Sequence, residues 1–377
     1  MVHLFFIYHK DDEETKNKLK GYLEEGLGHY NGLTDYTGIL FHAEEELNIC
    51  YRDEQNPLPE VENFLMDNYA SEEGIKHLAI YLIPFSKEET RKQEVKIYAR
   101  IKELLIKRRI ACQFVEPKTV EQPNEQFKWS LTTMSVSIMA KLGGVPWRLD
   151  KPEKTSLIVG VGAFKHPDGV RYISSAFCFD NSGKFREFDY LMSHQTKELA
   201  GMIAAKVKEF KNNFGDPQRL VIHFYKKISE DEIKPIEKKL LELKFPNPIP
   251  IFIVTINKTY AEDIVAFDRS QDNDLLMPFS GTYISIGNKK YLLYTSTRYP
   301  GATFLPKEGV PFPVKLAIDC TDPKQIEKSE VIKELIDEVY QFSRMYWKSL
   351  TQQGLPVTVS YPAMVAEVAP YFEWGAI

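Results

Sequence analysis

Residues 140–165, AKLGGVPWRLDKPEKTSLIVGVGAFK, join two stretches of different pattern within a chain of 377 residues. Up to the pair Gly143–Gly144, strand-like apolar runs alternate with helical ones, and such alternation predicts a parallel sheet with helices on its faces. After the prolines and charges around residue 150, strand-like runs follow one another. We therefore expect an α/β protein with two domains, 1–150 and 151–377, each long enough to bury a core.

The first domain is predicted to be Rossmann-like. Three apolar runs have the length of buried strands: Val2–His9, His77–Phe85 and Ala111–Val115. Between the last two, Ile97, Ile101 and Leu104 recur at helical spacing over residues 94–108. A further helix is predicted over Trp129–Leu142, where it ends at the two glycines.

The second domain begins with a predicted antiparallel meander of three strand-like runs: Leu157–Phe164, Tyr172–Phe179 and Phe185–Tyr190. A helix, a strand, a helix and a strand follow: Thr196–Phe214, Leu220–Tyr225, Glu230–Leu243 and Pro250–Ile256. A last long helix is predicted over Ser329–Leu350. This order of elements is that of an RNase H-like domain.

The composition excludes several classes of protein. With 43% hydrophobic and 27% charged residues, the chain is neither disordered, collagen-like nor a coiled coil. The formal net charge of −5 counts against binding of nucleic acid by bulk charge, although it is compatible with a local basic groove. The four cysteines form no CxxC pair, so no zinc site or disulfide scaffold is expected. Because no signal-peptide core and no membrane-spanning apolar run occurs, we expect a cytoplasmic protein without membrane attachment.

The first candidate site consists of four residues: Tyr98, Lys102, Gln113 and Lys141. Tyr98 and Lys102 are spaced i, i+4 and share a helix face. Gln113 lies on the next strand and Lys141 ends the next helix. The crevice of an open α/β sheet lies at its strand ends, where two ammonium groups, a phenol and an amide would suit the oxygens and charge of a terminal phosphate. From the residues alone, the simpler interpretation is a solvated basic helix face.

Three blocks of sequence carry a resemblance to a known family. The first combines Tyr98-x3-Lys102, CQF at 112–114 and AKLGGVPWRL at 140–149; the others are SLIVGVGAFK at 156–165 and LPVTVSYPAMVAEV at 355–368. Together they resemble short prokaryotic Argonautes, in which a MID domain precedes an RNase H-like PIWI domain. The resemblance implies that a guide 5′-phosphate is bound by Tyr98, Lys102, Gln113 and Lys141. It also implies a Mg²⁺ ion held by the guide phosphates, the C-terminal carboxylate of Ile377 and Gln113.

The same resemblance implies that the nuclease centre is lost. Family members that cleave use four positions, mostly acidic, to hold two metal ions. Three of those positions are here Gly162, Lys227 and Ala363. Because glycine and alanine offer no ligand and lysine repels Mg²⁺, we expect no enzymatic activity of this chain.

By resemblance, the expected function is that of a guide-directed sensor. A 5′-phosphorylated guide, expected to be RNA, would pair with complementary single-stranded DNA. Candidates for contacts to the guide or target backbone are Lys165, Arg171, Lys226, Lys227, Arg344 and Lys348. An APAZ-containing effector subunit (TIR, sirtuin-like or nuclease) is the expected heterodimer partner in prokaryotic defence against plasmids and phages, with oligomerisation on activation left open.

Two other classes of function remain open. A metal-dependent RNase H-like nuclease would use other carboxylates, for which Asp180, Glu187 and Asp189 are candidates. A small-molecule Rossmann enzyme is disfavoured because the first strand leads into HKDDEE and not into a glycine-rich turn. His223 and Cys112 are interpreted as packed side chains.

Overall fold

Strands and helices alternate through the first 146 residues of the computed structural model, and a larger mixed sheet follows. The structure describes residues 1–70, 73–85, 92–149, 156–165, 172–180, 185–192, 195–258, 264–269, 276–296, 312–348, 353–368 and 371–372. The first of two units comprises Met1–Pro146 with Trp347, Lys348, Tyr371 and Phe372. The second comprises Trp147–Tyr346 and the described part of 351–370. The predicted domains, 1–150 and 151–377, differ from these units, because the first unit also contains Trp347, Lys348, Tyr371 and Phe372.

The first unit contains a parallel sheet. Its strands are β1 (Val2–His9), β2 (Phe41–Ala43), β3 (Ile49–Tyr51), β4 (Lys76–Leu82) and β5 (Ala111–Val115). Its helices are α1 (Glu13–Glu24), α2 (Leu33–Thr37), α3 (Leu58–Asn68), α4 (Lys92–Lys107), α5 (Pro117–Val120) and α6 (Asn124–Lys141). The strand order is β2–β1–β4–β5, with β3 also paired to β1, so β5 lies at one edge.

Helices cover both faces of this sheet, which is why its strands are nearly continuous apolar runs. Along β4, Leu78 and Ile80 pack with residues of α1, α2 and α6 on one face. Ala79 and Tyr81 point to the other face and pack with α3 and α4. The Rossmann-like α/β architecture predicted for this part of the chain is confirmed.

The second unit is built on a mixed sheet. Its strands are β6 (Ser156–Lys165), β7 (Tyr172–Asp180), β8 (Phe185–Met192), β9 (Arg219–Phe224), β10 (Ile251–Lys258), β11 (Tyr283–Ser285), β12 (Lys290–Leu293) and β13 (Val314–Cys320). Its helices are α7 (Thr196–Phe214), α8 (Glu230–Glu242), α9 (Ser329–Phe342) and α10 (Val357–Val368). Among the helices of the described ranges, none has both the length and the apolar character needed to cross a bilayer.

The strand order of this sheet is β11–β12–β13–β10–β9–β6–β7–β8. The meander β6–β7–β8 is antiparallel, whereas β9 and β10 continue from β6 in parallel. Helices α7 and α8 pack on one face, with Val159 and Ile222 in their shared core. This topology confirms the RNase H-like fold class predicted from the order of elements.

The prediction of one helix over Ser329–Leu350 was wrong, because α9 ends at Phe342. Ser343 Oγ donates a hydrogen bond to the Tyr340 carbonyl at 2.6 Å, and Arg344 N donates to the Gln341 carbonyl at 2.9 Å. These short-range bonds compete with continuation of the α-helix. Arg344 and Lys348 therefore do not share a helix face.

Candidate functional site

The candidate phosphate site surrounds β5, the edge strand of the first unit. Successive side chains of a strand point to opposite faces. Cys112 and Phe114 belong to the core that contains α4, whereas Ala111 and Val115 pack in the core that contains α6. Gln113, which is half-buried, falls on the α6 side by this alternation. The two helices that carry the other predicted residues thus flank one strand.

Helix α4 presents Tyr98 and Lys102 together. The Tyr98 ring lies against Phe114, with ring centroids 4.4 Å apart, and this contact holds the phenol beside β5. Lys102 Nζ lies 5.7 Å from the centroid of the Tyr98 ring. The structure therefore brings both residues to the same side of β5.

The basic residues of α4 are not a uniform solvated face. Arg100 and Lys107 pair with Glu103 at 2.7 and 2.9 Å, and the Glu103 side chain is only 6% exposed. Lys102 lies between them in sequence and forms no ion pair with the described residues. Its charge is thus left for an anion from outside the unit.

Lys141 and Gln113 meet on the opposite side of β5. Lys141 Nζ donates a hydrogen bond to Gln113 Oε1 at 2.6 Å. Gln113 Nε2 donates to the Phe114 carbonyl oxygen at 3.2 Å. The amide is therefore oriented with its oxygen towards the ammonium group.

The turn after α6 depends on both glycines of the KLGG sequence. Gly143 has a φ of +84°, in the left-handed region that favours glycine. Its N–H donates to the Ala140 carbonyl at 3.0 Å, and Gly144 N donates to the Met139 carbonyl at 2.9 Å. A Cβ on Gly144 would lie 2.7 Å from Met139 Cγ. The two glycines therefore end the helix directly after Lys141 and fix where that side chain leaves it.

Sequence reasoning misses Lys76, the first residue of β4. Its Nζ donates a hydrogen bond to the Leu142 carbonyl oxygen at 2.6 Å. A lysine before a buried strand is an ordinary pattern, so no local signal could have identified it. The contact places this part of the site near the amino ends of the strands, whereas ligand crevices of open α/β sheets lie at the carboxyl ends.

The ammonium groups of Lys102 and Lys141 act on one buried atom. Cys112 is 7% exposed, as expected for a small packed side chain. Burial raises the pKa of its thiol, whereas the charges of Lys141 and Lys102 act in the opposite direction. Lys102, next to the Tyr98 ring, and Lys141, next to Gln113, therefore lie on the two sides of β5.

In the second unit, α10 lies directly on β6 at its glycines. A Cβ on Gly162 would lie 2.6 Å from the Val359 carbonyl oxygen and 2.7 Å from the Ala363 amide nitrogen. A Cβ on Gly160 would overlap the Thr358 carbonyl oxygen. The structure thus brings Gly162 and Ala363 together and leaves no room for a carboxylate at position 162.

Lys227 is exposed and follows the end of β9. Tyr225 N donates to the Val161 carbonyl at 3.2 Å, so the pairing of β9 with β6 extends almost to Gly162. In the described part of the chain, no three or more His, Cys, Asp or Glu side chains are grouped to hold a metal ion. The alternative nuclease ligands have side chains outside the described ones: Asp180, Glu187 and Asp189.

His223 is fully buried on β9, as predicted for a packed side chain. Its Nδ1 lies 2.8 Å from Thr358 Oγ1 on α10, and its ring meets Phe342 edge-on at 5.9 Å. Burial lowers the pKa of His223 to about 3. The ring is therefore neutral near pH 7 and joins β9 to α10.

Residues predicted to contact a nucleic-acid backbone already have partners in the fold, Lys348 among them. Lys226 Nζ pairs with the Glu232 carboxylate at 2.9 Å. Arg344 Nη2 donates to Ser280 Oγ at 2.7 Å. Lys348 is exposed. Other predicted positions lie outside the described residues or side chains: Lys165, Arg171 and Ile377.

The donor set around Gln113 does not by itself suit Mg²⁺. Gln113 Oε1 accepts a hydrogen bond from the Lys141 ammonium, and that cation repels a second one. Mg²⁺ needs near-octahedral oxygen coordination. The bridging ion stays a prediction, in which guide phosphates and the Ile377 carboxylate would supply the remaining oxygens.

Sequence comparisons relate the chain to Piwi proteins. The family model described as Piwi domain matches residues 89–372. A Piwi protein of Archaeoglobus fulgidus is 28% identical over an alignment of length 287, and the alignment covers 72% of this chain and 65% of that protein. A Piwi-like protein of Dugesia japonica is 20% identical over an alignment of length 343, and the alignment covers 82% of this chain and 38% of that protein.

A structural comparison agrees with the sequence matches. Clostridium butyricum Argonaute, solved with a guide DNA (5′ deoxycytidine) and a 19-mer target DNA, has a TM-score of 0.67 and 17% identity to this chain. The match covers 99% of this chain and 49% of that one. At this identity the similarity concerns the fold. The chain spans less than two thirds of the length of each of these relatives.

Proposed function

The chain belongs to the Piwi domain family, and on this premise we propose that its first unit binds the 5′-phosphate of a guide strand. The observation that carries this proposal is the placement of all four predicted residues around β5: Lys141 is hydrogen-bonded to Gln113, and Tyr98 packs on Phe114 with Lys102 beside its ring. The guide is expected to be RNA and its target single-stranded DNA. Base pairing reads the sequence, while the protein holds backbone and shape.

The pocket favours a phosphorylated end through charge. Lys102 and Lys141 supply two positive charges, and the Tyr98 hydroxyl and the Gln113 amide group supply further donors. Because Lys141 is exposed, its hydrogen bond to Gln113 can be exchanged for one to a phosphate oxygen. Charge-assisted hydrogen bonds are stronger than neutral ones, so a 5′-hydroxyl end is held more weakly.

The guide-loaded chain is proposed not to cleave its target. Support comes from Gly162 and Ala363, which are in backbone contact across β6 and α10 and offer no ligand. Lys227 replaces a third ligand with a cation. Hydrolysis by metal ions requires anionic oxygens that hold those ions in place.

The response to a target is proposed to come from a partner subunit. By family resemblance, this partner is an APAZ-containing effector in prokaryotic defence. The net charge of −5 supports a nucleic-acid channel formed jointly with the partner, because a duplex is bound by positive charge and this chain has a negative net charge. Target binding would then activate the effector.

Capture of a target by the loaded protein tests the proposal. The full chain is loaded with a 5′-phosphorylated RNA or DNA guide and mixed with labelled complementary or scrambled single-stranded DNA in Mg²⁺, at fixed salt. We expect retention of the complementary strand alone, uncut. Equal retention of the scrambled strand would contradict guide-directed binding, and metal-dependent cutting would support the nuclease alternative.

A further inference from the structure

Strand β4 connects the two contacts that position Lys141. At the start of β4, Lys76 Nζ donates to the carbonyl oxygen of Leu142, the residue after Lys141, at 2.6 Å. Four residues along, Ile80 pairs in register with Gln113, whose Oε1 accepts from Lys141 at 2.6 Å. A closed circuit of contacts thus links Lys76, the Gln113 side chain and the Lys141 side chain.

The Lys76 ammonium lies at the C-terminus of α6. The last carbonyls of a helix lack intrahelical partners and carry partial negative charge. Leu142 directly follows the helix, and its carbonyl oxygen accepts from Lys76. Lys76 Nζ would also lie 3.8 Å from a Cβ on Gly143, so it sits against the glycine turn. Both contacts hold the end of the helix from which the Lys141 side chain departs.

We propose that Lys76 is a positioning residue of the guide-phosphate site, which fixes the Lys141 ammonium at the edge of β5 by holding the Leu142 carbonyl. The inference rests on the proposed function and adds a residue to its site. The Lys76 side chain is exposed, but its backbone begins β4, whose next residue, His77, is 6% exposed. A terminal helix residue without such an anchor frays, and its side chain samples many rotamers.

A double-mutant cycle tests this role. Lys76→Met removes the charge and keeps the apolar stem, and Lys76→Arg keeps a donor. The readout is the affinity for a 5′-phosphorylated strand divided by that for its 5′-hydroxyl counterpart, in the wild-type and Lys141→Ala backgrounds. We expect Lys76→Met to reduce this ratio about five- to tenfold in the wild-type background only. Lys76→Arg should restore most of it.

Lys96→Met is the matched control, because Lys96 is exposed on α4 and its loss changes the net charge equally. We expect no change in the ratio. An equal loss from Lys76→Met in both backgrounds would overturn the proposal, since Lys76 would then act on the phosphate directly. No loss in the wild-type background would overturn it as well.

A measurement without any guide separates this inference from the proposed function. Amide hydrogen exchange at Gly143 and Gly144 should be faster in Lys76→Met and unchanged in Lys96→Met, because the turn loses its anchor. If the wild type shows no preference for a 5′-phosphate, the proposed function fails, and the exchange rates still decide whether Lys76 holds the turn. Unchanged exchange in Lys76→Met would overturn its positioning role.

Discussion

Lys102 and Lys141 lie on different helices, yet both act on the buried Cys112 thiol. Placing like charges near one another costs free energy unless an anion lies between them. Neighbouring cations of α4 avoid this cost by pairing with Glu103. At the scale of single residues, the site is therefore distinguished by Lys102, which pairs with no carboxylate of the described residues, and this is visible only after folding.

Lys102→Ala should weaken binding of a 5′-phosphorylated single strand about tenfold, because a charge-assisted hydrogen bond is lost. The slope of log K against log salt should become shallower by about 0.7, the value for one phosphate contact on a single strand. Titrations at several salt concentrations measure both quantities. Lys96→Ala, on the same helix, should change neither, and an unchanged slope in Lys102→Ala would contradict a phosphate contact.

His223 should make the stability of the protein sensitive to acid. Its folded-state pKa of about 3 lies below the ordinary 6.5, so between these values the unfolded state binds more protons. The free energy of unfolding therefore falls as the pH is lowered through this window, by up to about 1.4 kcal/mol per pH unit. Urea unfolding at pH 6.5 and 4.5 should show a loss about 2 kcal/mol smaller in His223→Gln. The exposed His42→Gln should behave as the wild type, and equal losses in all three proteins would contradict the prediction.

The residue spacing predicts part of the candidate site and not the rest. Tyr98 and Lys102 are four apart, so a helix alone brings them together. The hydrogen bond between Lys141 and Gln113 joins residues 28 apart in sequence, and their adjacency was implied by family resemblance. Lys76 reaches a carbonyl 66 residues away, and a backbone acceptor leaves no trace in the side-chain pattern.

At the scale of elements, α10 packs on β6 at the position where the family resemblance implies a metal ligand. The helix approaches so closely that a side chain at position 162 would collide with the backbone of Val359 and Ala363. His223 reinforces the same packing through its hydrogen bond to Thr358. The glycine that the family resemblance predicts to replace a carboxylate thus lies in tight packing between helix and strand.

Gly162→Ala should destabilise the second unit by about 1–3 kcal/mol, because the added Cβ overpacks against Val359 and Ala363. Gly201→Ala is the matched control. Gly201 lies within α7, and a Cβ added there would have no atom within 4 Å, so Gly201→Ala should stabilise the second unit by about 0.5–1 kcal/mol. Thermal or urea unfolding measures both, and equal stability of the two variants would contradict the close contact.

The order of elements could be predicted more fully than their ends. The alternation of apolar runs with segments of helical spacing predicted the parallel sheet of the first unit and the RNase H-like order of elements in the second. The end of α9 could not be predicted, because the apolar spacing continues past Phe342, the last residue of the helix. Met345 fits that spacing and is only 2% exposed. A side-chain hydrogen bond from Ser343 decided the boundary, and periodicity carries no information about such a bond.

At the scale of the whole molecule, the two sets of residues discussed above lie in separate units. The first unit holds the candidate phosphate site, and the second holds Gly162, Lys227 and Ala363, the positions at which nuclease ligands are predicted to be lost. With a net charge of −5, recognition must depend on the placement of a few cations and not on the total charge. The central claim is therefore a preference for one chemical group, the 5′-phosphate, over an otherwise identical strand.

Measuring that preference for the 5′-phosphate tests the central claim most directly. Binding of a 5′-phosphorylated and a 5′-hydroxyl guide is compared for the wild type, Lys141→Ala and the control Lys118→Ala, whose side chain is 59% exposed on α5. We predict a strong phosphate preference in the wild type and the control, and its loss by about 10- to 100-fold in Lys141→Ala. Equal binding of both guides by the wild type, unchanged in Lys141→Ala, would contradict the assignment of this site.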